Sequence, residues 1–373
     1  MRACGDCLRR SWLLERLSAR LDYASHDRAR LIELLALADE ELIAAVAGRH
    51  REALGKEWKR FEPFVAPAED VQALCRHDGD YPSSLASDGA PHMLHVAGRS
   101  ERLTELARAP IVAIVGTGRA TDYGMEITKS LARGLAASGI TVVSELVDGI
   151  AVAAHAGALE VEGGTIAVMS GGLEGGCAAR WRGLYRRVRA RGCAVAELPS
   201  ASPARRWGRT ASRRIVAELA ELTIVVEADE NPGELLGATL AHSLGRTVAA
   251  VPGRVTSPVS TGTHRLLMDG AALVRRPEDV LELLGRAASP ASRDPTHETD
   301  GPAAFARLEP RLRRTLEAVG AGRDTAAKLM TDETDAGETL LALSELELMG
   351  LLARGDGGRY VPRQSAVSGR GGA

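Results

Sequence analysis

Three sets of residues in this chain could do chemistry: glycines that close short apolar runs, a dense run of arginines, and a few thiols near the N-terminus. The first glycine set is VGTGRATDYG (115–124). Gly116 and Gly118 let the backbone turn tightly, so that N–H groups around Thr117 can face an anion at the start of the following helix. A dinucleotide fingerprint would need a third glycine at 121, where Thr121 stands, and only Glu145 is placed as its ribose-binding acid. The spacing therefore predicts a phosphate loop rather than a dinucleotide site. VMSGGLEGG (168–176) and EADENPGELLGATLA (227–241) repeat the pattern; the plainer alternative is that each glycine only closes a turn.

The arginines are concentrated between Arg180 and Arg214, eleven of them against one acid, Glu197. A local charge of about +10 governs anion binding whatever the whole-chain sum. Trp181, Tyr185 and Trp207 are interleaved with the arginines, and arginine with aromatic faces suits a nucleic-acid backbone and unstacked bases. The alternative is a solvated helix face whose Trp181 and Tyr185 reach the core. Cys4 and Cys7 form a CxxC, and Cys75 stands two residues before His77. Together they make a Cys₃His zinc set if the N-terminal segment folds back on itself. The spacing of the second pair is unusual for zinc, so free thiols are the preferred reading, with no metal and no cofactor expected. His155 has no nucleophile or acid that sequence can pair with it, which favours a structural or phosphate-contacting role over catalysis.

The elements that would position these residues alternate. IVAIVG (111–116), ITVVSEL (140–146), TIAVMSGG (165–172), CAVAEL (193–198), LTIVVEA (222–228) and TVAAVPG (247–253) are strand-like, with helix-length segments between them. That order predicts βαβ units and a doubly wound parallel α/β sheet. LIELLALADEELIAAVAG (31–48) has helical spacing ending at Gly48, so residues 1–80 are expected to form a helical N-terminal domain, and 81–286 the α/β core. Residues 287–304, rich in Pro, Ser, Asp and Thr, read as a linker. Residues 305–363 read as three helices and a hairpin turning at Asp356-Gly357-Gly358, the pattern of a winged helix, and 364–373 as a disordered tail.

Composition narrows the function classes. Hydrophobic content of 45% with only 3% aromatics calls for an aliphatic core, in a chain of 373 residues with net charge −2. No apolar run approaches the roughly 20 residues of a membrane span, and the first residues lack a secretory pattern. With five cysteines, an odd number, no disulfide framework is implied, and a reduced cytoplasmic protein is expected.

The segments YPSSL, PHMLHVAGR, VAIVGTGRATDYG, TVVSELVDGIAVAAHAGAL, GGTIAVMSGGL, RRIVAEL, VVEADENPGELLGATLA and VPGRVTSPVSTGTHRLLMDGA, in this order over about residues 81–285, resemble the DNA-processing protein A (DprA or Smf) family. The resemblance implies an extended Rossmann-like core that binds single-stranded DNA as a homodimer and loads the RecA recombinase, in natural transformation and recombination, without catalytic turnover. Residues that keep the family's motifs are Ser144, Arg214, Gly233, Pro252-Gly253-Arg254 and Ser260-Thr261-Gly262, whereas Arg119 is displaced by one and Arg213 stands where the family has Asn. Arg119, Arg213 and Arg214 are then expected to hold phosphates. Arg180, Arg182, Arg186, Arg205 and Arg206 would widen the groove, with amides at Gly116–Gly118, Gly233 and Gly253 as neutral donors. Two departures stand out: Glu145 and Glu234 enter loops that should hold an anion. If they face the pocket they oppose phosphate by about 1 kcal/mol each, which leaves open a scaffold that no longer binds DNA. A Rossmann-like nucleotide phosphoribohydrolase is the enzyme alternative, for which Asn231-Pro232-Gly233-Glu234 is only a partial echo of the required loop.

Overall fold

The computed structural model describes residues 3–62, 71–285 except 88, 98, 99 and 162, and 309–362 except 321, 322, 324, 331–335, 350 and 355–359. The expected linker, tail and hairpin turn lie outside the described residues. The chain divides into two compact units, Met1–Ser289 and Pro290–Ala373.

The first unit is built on a nine-stranded sheet in the order β1-β2-β6-β5-β4-β3-β7-β8-β9. The six expected strands are β3 (Ile111–Val115), β4 (Thr141–Glu145), β5 (Thr165–Val168), β6 (Cys193–Ala196), β7 (Leu222–Val225) and β8 (Thr247–Ala250). They pair in parallel, and β9 (Ala272–Leu273) continues the parallel run. β1 (Val71–Cys75) and β2 (Met93–Ala97) extend the sheet antiparallel beyond β6. β1 lies inside the stretch expected to be helical, so the sheet begins before residue 80.

Both faces of the sheet are covered, which is why the strands read as continuous apolar runs. Val112, Ile114, Val142 and Ile224 face α6 (Asp122–Ala137) and α7 (Ile150–Ala158), with α12 (Pro277–Leu283) beside them. Ile111, Ala113, Val143 and Val195 face the other way, onto α5 (Ser100–Arg108) and α9 (Arg206–Leu219). α8 (Arg182–Arg191) covers β5 and β6 through Tyr185 and Val188. α10 (Leu236–Ser243) and α11 (Thr261–Met268) close the β7–β8 side.

Helices α1 (Gly5–Ala24) and α2 (Arg28–Ala36) pack against α9 within this unit, with α3 (Asp39–Val46) on both of them and α4 (Arg51–Arg60) on α3. Leu13, Leu17, Leu31 and Leu42 share one cluster with Trp207 and Ala211 of α9. The segment 31–48 is two helices rather than one. Buried Arg10 explains the break: it donates to the Leu35 and Leu37 carbonyls at 2.7 and 2.9 Å and to Asp39 at 2.8 Å. The carbonyls that end α2 are thereby satisfied without continuing the helix.

In the second unit α13 (Pro310–Gly320), α14 (Ala326–Leu329) and α15 (Ala336–Leu348) pack around Leu312, Leu316, Leu343 and Leu346. An antiparallel pair, β10 (Leu352–Arg354) and β11 (Tyr360–Pro362), adds Leu352 and Tyr360 to that core. No helix among the described residues is long and apolar enough to cross a membrane.

Candidate nucleic-acid interface

The strand order reverses at β3, with β4 on one side and β7 on the other. Loops leaving the carboxyl ends of these strands form the crevice where open α/β sheets bind ligands. Val115, Gly116, Glu145, Arg213, Val216, Glu234 and Gly237 line it. The loops are fitted to one another closely. Thr117 N–H donates to the Glu227 carbonyl at 2.6 Å, and Ile150 N–H to the Thr117 carbonyl at 3.2 Å. Gly149 has φ +77, and a Cβ there would lie 2.2 Å from the Thr117 carbonyl oxygen; only glycine lets the β4 loop meet the β3 loop this way.

The chain's own carboxylates occupy the start of α6 and the Thr117 hydroxyl, beside the expected phosphate loop. Glu227, at the end of β7 and 2% exposed, sits at the N-terminus of α6. It accepts from Thr121 N–H at 2.8 Å and from the Thr121 hydroxyl at 2.5 Å. Gly124 makes room for it, since a Cβ there would lie 2.2 Å from the carboxylate. The helix terminus that attracts an anion thus holds an internal one. Glu234 accepts from the Thr117 hydroxyl at 2.8 Å and from Asp229 N–H at 3.0 Å. The Thr117 hydroxyl also receives Arg119 N–H at 3.2 Å. Of the amides expected as donors at Gly116–Gly118, the one at Thr117 is thus spent on the Glu227 carbonyl.

Glu145 and Glu234 do face the crevice, but neither stands alone. Glu145 accepts from Arg213 Nε at 3.0 Å and from the Ser212 hydroxyl at 2.7 Å. Arg213 also donates to the Gly233 carbonyl, tying α9 to the β7 loop. Half-buried, it is one cation already shared between a carboxylate and a carbonyl.

The structure disperses the arginine run. Arg214, expected at a phosphate, is 3% exposed and donates at 2.7 Å to both oxygens of Glu197 on the far side of α9. Ser144 is also inside, its hydroxyl donating to the Ile114 carbonyl at 2.7 Å. Arg187 and Arg191 on α8 point to the Leu159 carbonyl at the C-terminus of α7, a helix end that favours cations. Arg186 is exposed on the same helix. Arg180 and Trp181 hold Asp148 of the β4 loop, with Trp181 Nε1 at 2.8 Å. The Arg180 hydrogen bond keeps the Asp148 carboxyl below its ordinary range.

What remains accessible is a row on α9. Arg206, Arg209 and Arg213 recur at helical spacing on one face; Arg206 and Arg209 are exposed, and Arg213 is partly so. Arg205 lies 3.7 Å from Asp22, and Arg206 lies 3.3 Å from the His26 ring. Arg119 on the β3 loop and Arg182 at the start of α8 are exposed, and neither makes an ion pair among the described residues. Arg254 is exposed on the loop after β8, beyond β7. Gly253 there accepts from His264 Nε2 at 3.1 Å. Arg28 of α2 packs beside Gly233, a helical-region contribution that no motif announced. Glu227 had a legible signal: an acid ending an apolar strand must find donors.

His155 is structural. Completely buried on α7, it donates from Nε2 to the Glu145 carbonyl at 2.9 Å, and its Nδ1 meets the Thr165 hydroxyl at 2.8 Å. Burial lowers its pKa from 6.5 to about 4, and does the same to His95 on β2. Both rings are neutral in the folded protein and protonate more readily in the unfolded chain. Stability is therefore fully present above pH 6.5 and is lost as pH falls toward 4, by at most about 1.4 kcal/mol per pH unit for each ring. Calorimetry at pH 7 and pH 5 should show a falling melting temperature, with about three protons taken up on unfolding near pH 5, because burial also lowers the pKa of His92 from 6.5 to about 4. A flat profile would exclude this assignment.

Residues 72–285 match the family model described as DNA recombination-mediator protein A. A putative DNA processing protein DprA of Mycobacterium tuberculosis is 35% identical over 353 residues, covering 92% of this chain and 85% of the relative. Protein Smf of Escherichia coli is 35% identical over 206 residues, 55% of this chain and 52% of that one. Among solved structures, the X-ray structure of DNA processing protein A from Streptococcus pneumoniae superposes with a TM-score of 0.59 at 25% identity. It covers 76% of this chain and 98% of its own.

Proposed function

The chain belongs to the DNA recombination-mediator protein A family, and from that premise we propose that it binds single-stranded DNA through arginine side chains at the carboxyl edge of its sheet. The observation that carries this reading is the row Arg206, Arg209 and Arg213 on α9, beside the crevice at the end of β3. Arg119 and Arg182 extend the cationic edge, and half-buried Trp181 offers an aromatic face for an unstacked base. Guanidinium groups on an open edge suit a polymer backbone, which presents phosphates in series without demanding one enclosed pocket. A mononucleotide phosphate would have to displace Glu227 from the α6 terminus, which argues against the phosphoribohydrolase alternative.

In this reading the protein turns over no substrate. It holds single strands for a partner recombinase of the RecA type, in cytoplasmic recombination and the processing of incoming DNA. A homodimer fits the large apolar side chains left exposed beyond β8, among them Val255 at 86%, Met268 at 83% and Leu273 at 50%. The C-terminal unit would be a winged helix, its β10–β11 pair forming the wing. We assign the helices up to Arg60 as the helical region, the sheet from Val71 to about residue 286 as the core, and 287–304, 305–363 and 364–373 as linker, winged helix and tail.

The test is fluorescence anisotropy with a labelled oligothymidine. With about four phosphates neutralised, affinity should fall some fifty-fold between about 50 and 200 mM salt. Binding that is absent at low salt, or indifferent to salt, would overturn the proposal in favour of a scaffold.

A further inference from the structure

We infer that Cys4, Cys7, Cys75 and His77 form a structural zinc site that pins the start of α1 to the edge of the sheet. Cys4 caps α1 and Cys7 lies in its first turn, whereas Cys75 ends β1 and His77 follows in the turn after it. Almost seventy residues of chain separate the two pairs, yet their four ligand atoms all lie within 4.8 Å of one another. His77 Nδ1 is 3.3 Å from Cys4 Sγ, 3.5 Å from Cys7 Sγ and 4.0 Å from Cys75 Sγ.

Bonding of the thiols to the imidazole does not by itself account for that arrangement, although the thiols also meet one another. A neutral imidazole nitrogen accepts one proton, so it can satisfy one thiol, not three. No disulfide draws these sulfurs together. Tetrahedral zinc does account for it. Bonds of about 2.3 Å to sulfur and 2.0–2.1 Å to nitrogen place ligand nitrogen and sulfur roughly 3.5 Å apart. Cys4 N–H lies 3.5 Å from Cys75 Sγ, a donor placed to stabilise a thiolate. Ala3, Leu8, Ala73 and Met93 pack around the thiols and bury Cys7 and Cys75, while exposed His77 leaves an entry path. Three sulfurs and one nitrogen in a closed set favour a structural zinc over a hard, oxygen-seeking cation.

The consequence reaches the arginine row. α1, anchored at its start, holds Trp207 of α9 farther along, through Asp22 at 3.0 Å from Trp207 N and Ser18 at 3.3 Å from Trp207 Nε1.

The full-length protein, purified under reducing conditions without chelator, should carry about one zinc ion per chain. Removing it should lower the melting temperature, and added zinc should restore it. Cobalt(II) added to the metal-free protein should give tetrahedral d–d bands and a thiolate charge-transfer band. Cys75→Ser should abolish the charge-transfer spectrum and the bound zinc. Because that buried change can disturb folding, His77→Ala supplies a second variant: its side chain is exposed, so the protein should stay folded by circular dichroism yet lose zinc on dialysis. A metal-free protein with reduced thiols and no cobalt spectrum would overturn the site. So would iron in place of zinc, or a native disulfide among these cysteines.

Discussion

Arg214→Ala should lower the unfolding free energy by about 3–5 kcal/mol, a large share of the 5–15 kcal/mol typical of a folded domain. The guanidinium donates to both oxygens of Glu197, and the two residues are 3% and 7% exposed. Truncation removes the partner but not the charge, leaving the Glu197 carboxylate buried without its cation, and that orphaned charge accounts for most of the cost. Glu218, one turn along α9, adds to it: burial already raises its pKa, and Arg214 opposes that rise. Urea denaturation should show the midpoint falling sharply in the single variant. Arg214→Met combined with Glu197→Leu should recover most of the loss, because well-packed apolar residues can replace a buried ion pair. If the single variant unfolds with the wild-type midpoint, the pair is not buried in solution.

Arg119→Ala, Arg206→Ala and Arg209→Ala together should weaken binding to single-stranded DNA by about a hundred- to a thousand-fold. Three lost phosphate contacts should also reduce the slope of log affinity against log salt by about 2. All three side chains are exposed, so the variant should melt where the wild type does. The loss should be alike for oligonucleotides of different sequence, since phosphate contacts carry no base information. Arg213 is left out on purpose: its removal would strand Glu145, and a stability effect would mix with the binding effect. An unchanged salt slope would show that DNA runs elsewhere.

The strands of the core were legible because each is buried on both faces, and IVAIV or LTIV leaves little alternative to a central parallel strand. β1 and β2 were not, because Gln72 and His95 interrupt the apolar pattern and each run is only five residues long. The two-residue β9 has too little sequence to announce itself. The arginine run was visible as charge but not as geometry. Consecutive helical residues point in different directions, so Arg213 faces the crevice while Arg214 faces the core. The lone acid of that stretch, Glu197, was the clue: an isolated carboxylate just past a buried strand must have a cation beside it. The zinc set was visible as residue types, but the meeting of its two pairs depends on how the N-terminal segment packs against the sheet edge.

The carboxylates of Glu227 and Glu234 have a further consequence, for selectivity between free nucleotides and polymers. Each is tethered beside the donors it occupies, so it competes at the high effective concentration of an intramolecular group. A dissolved nucleotide, arriving with one phosphate cluster and paying its full loss of translational freedom, must displace such a group to reach the amides. A DNA strand bound as proposed need not, because it would spread its charge over arginines outside the loop. On the proposed function, the filled loop would insulate the protein from the cellular nucleotide pool and leave its outer edge free for chains.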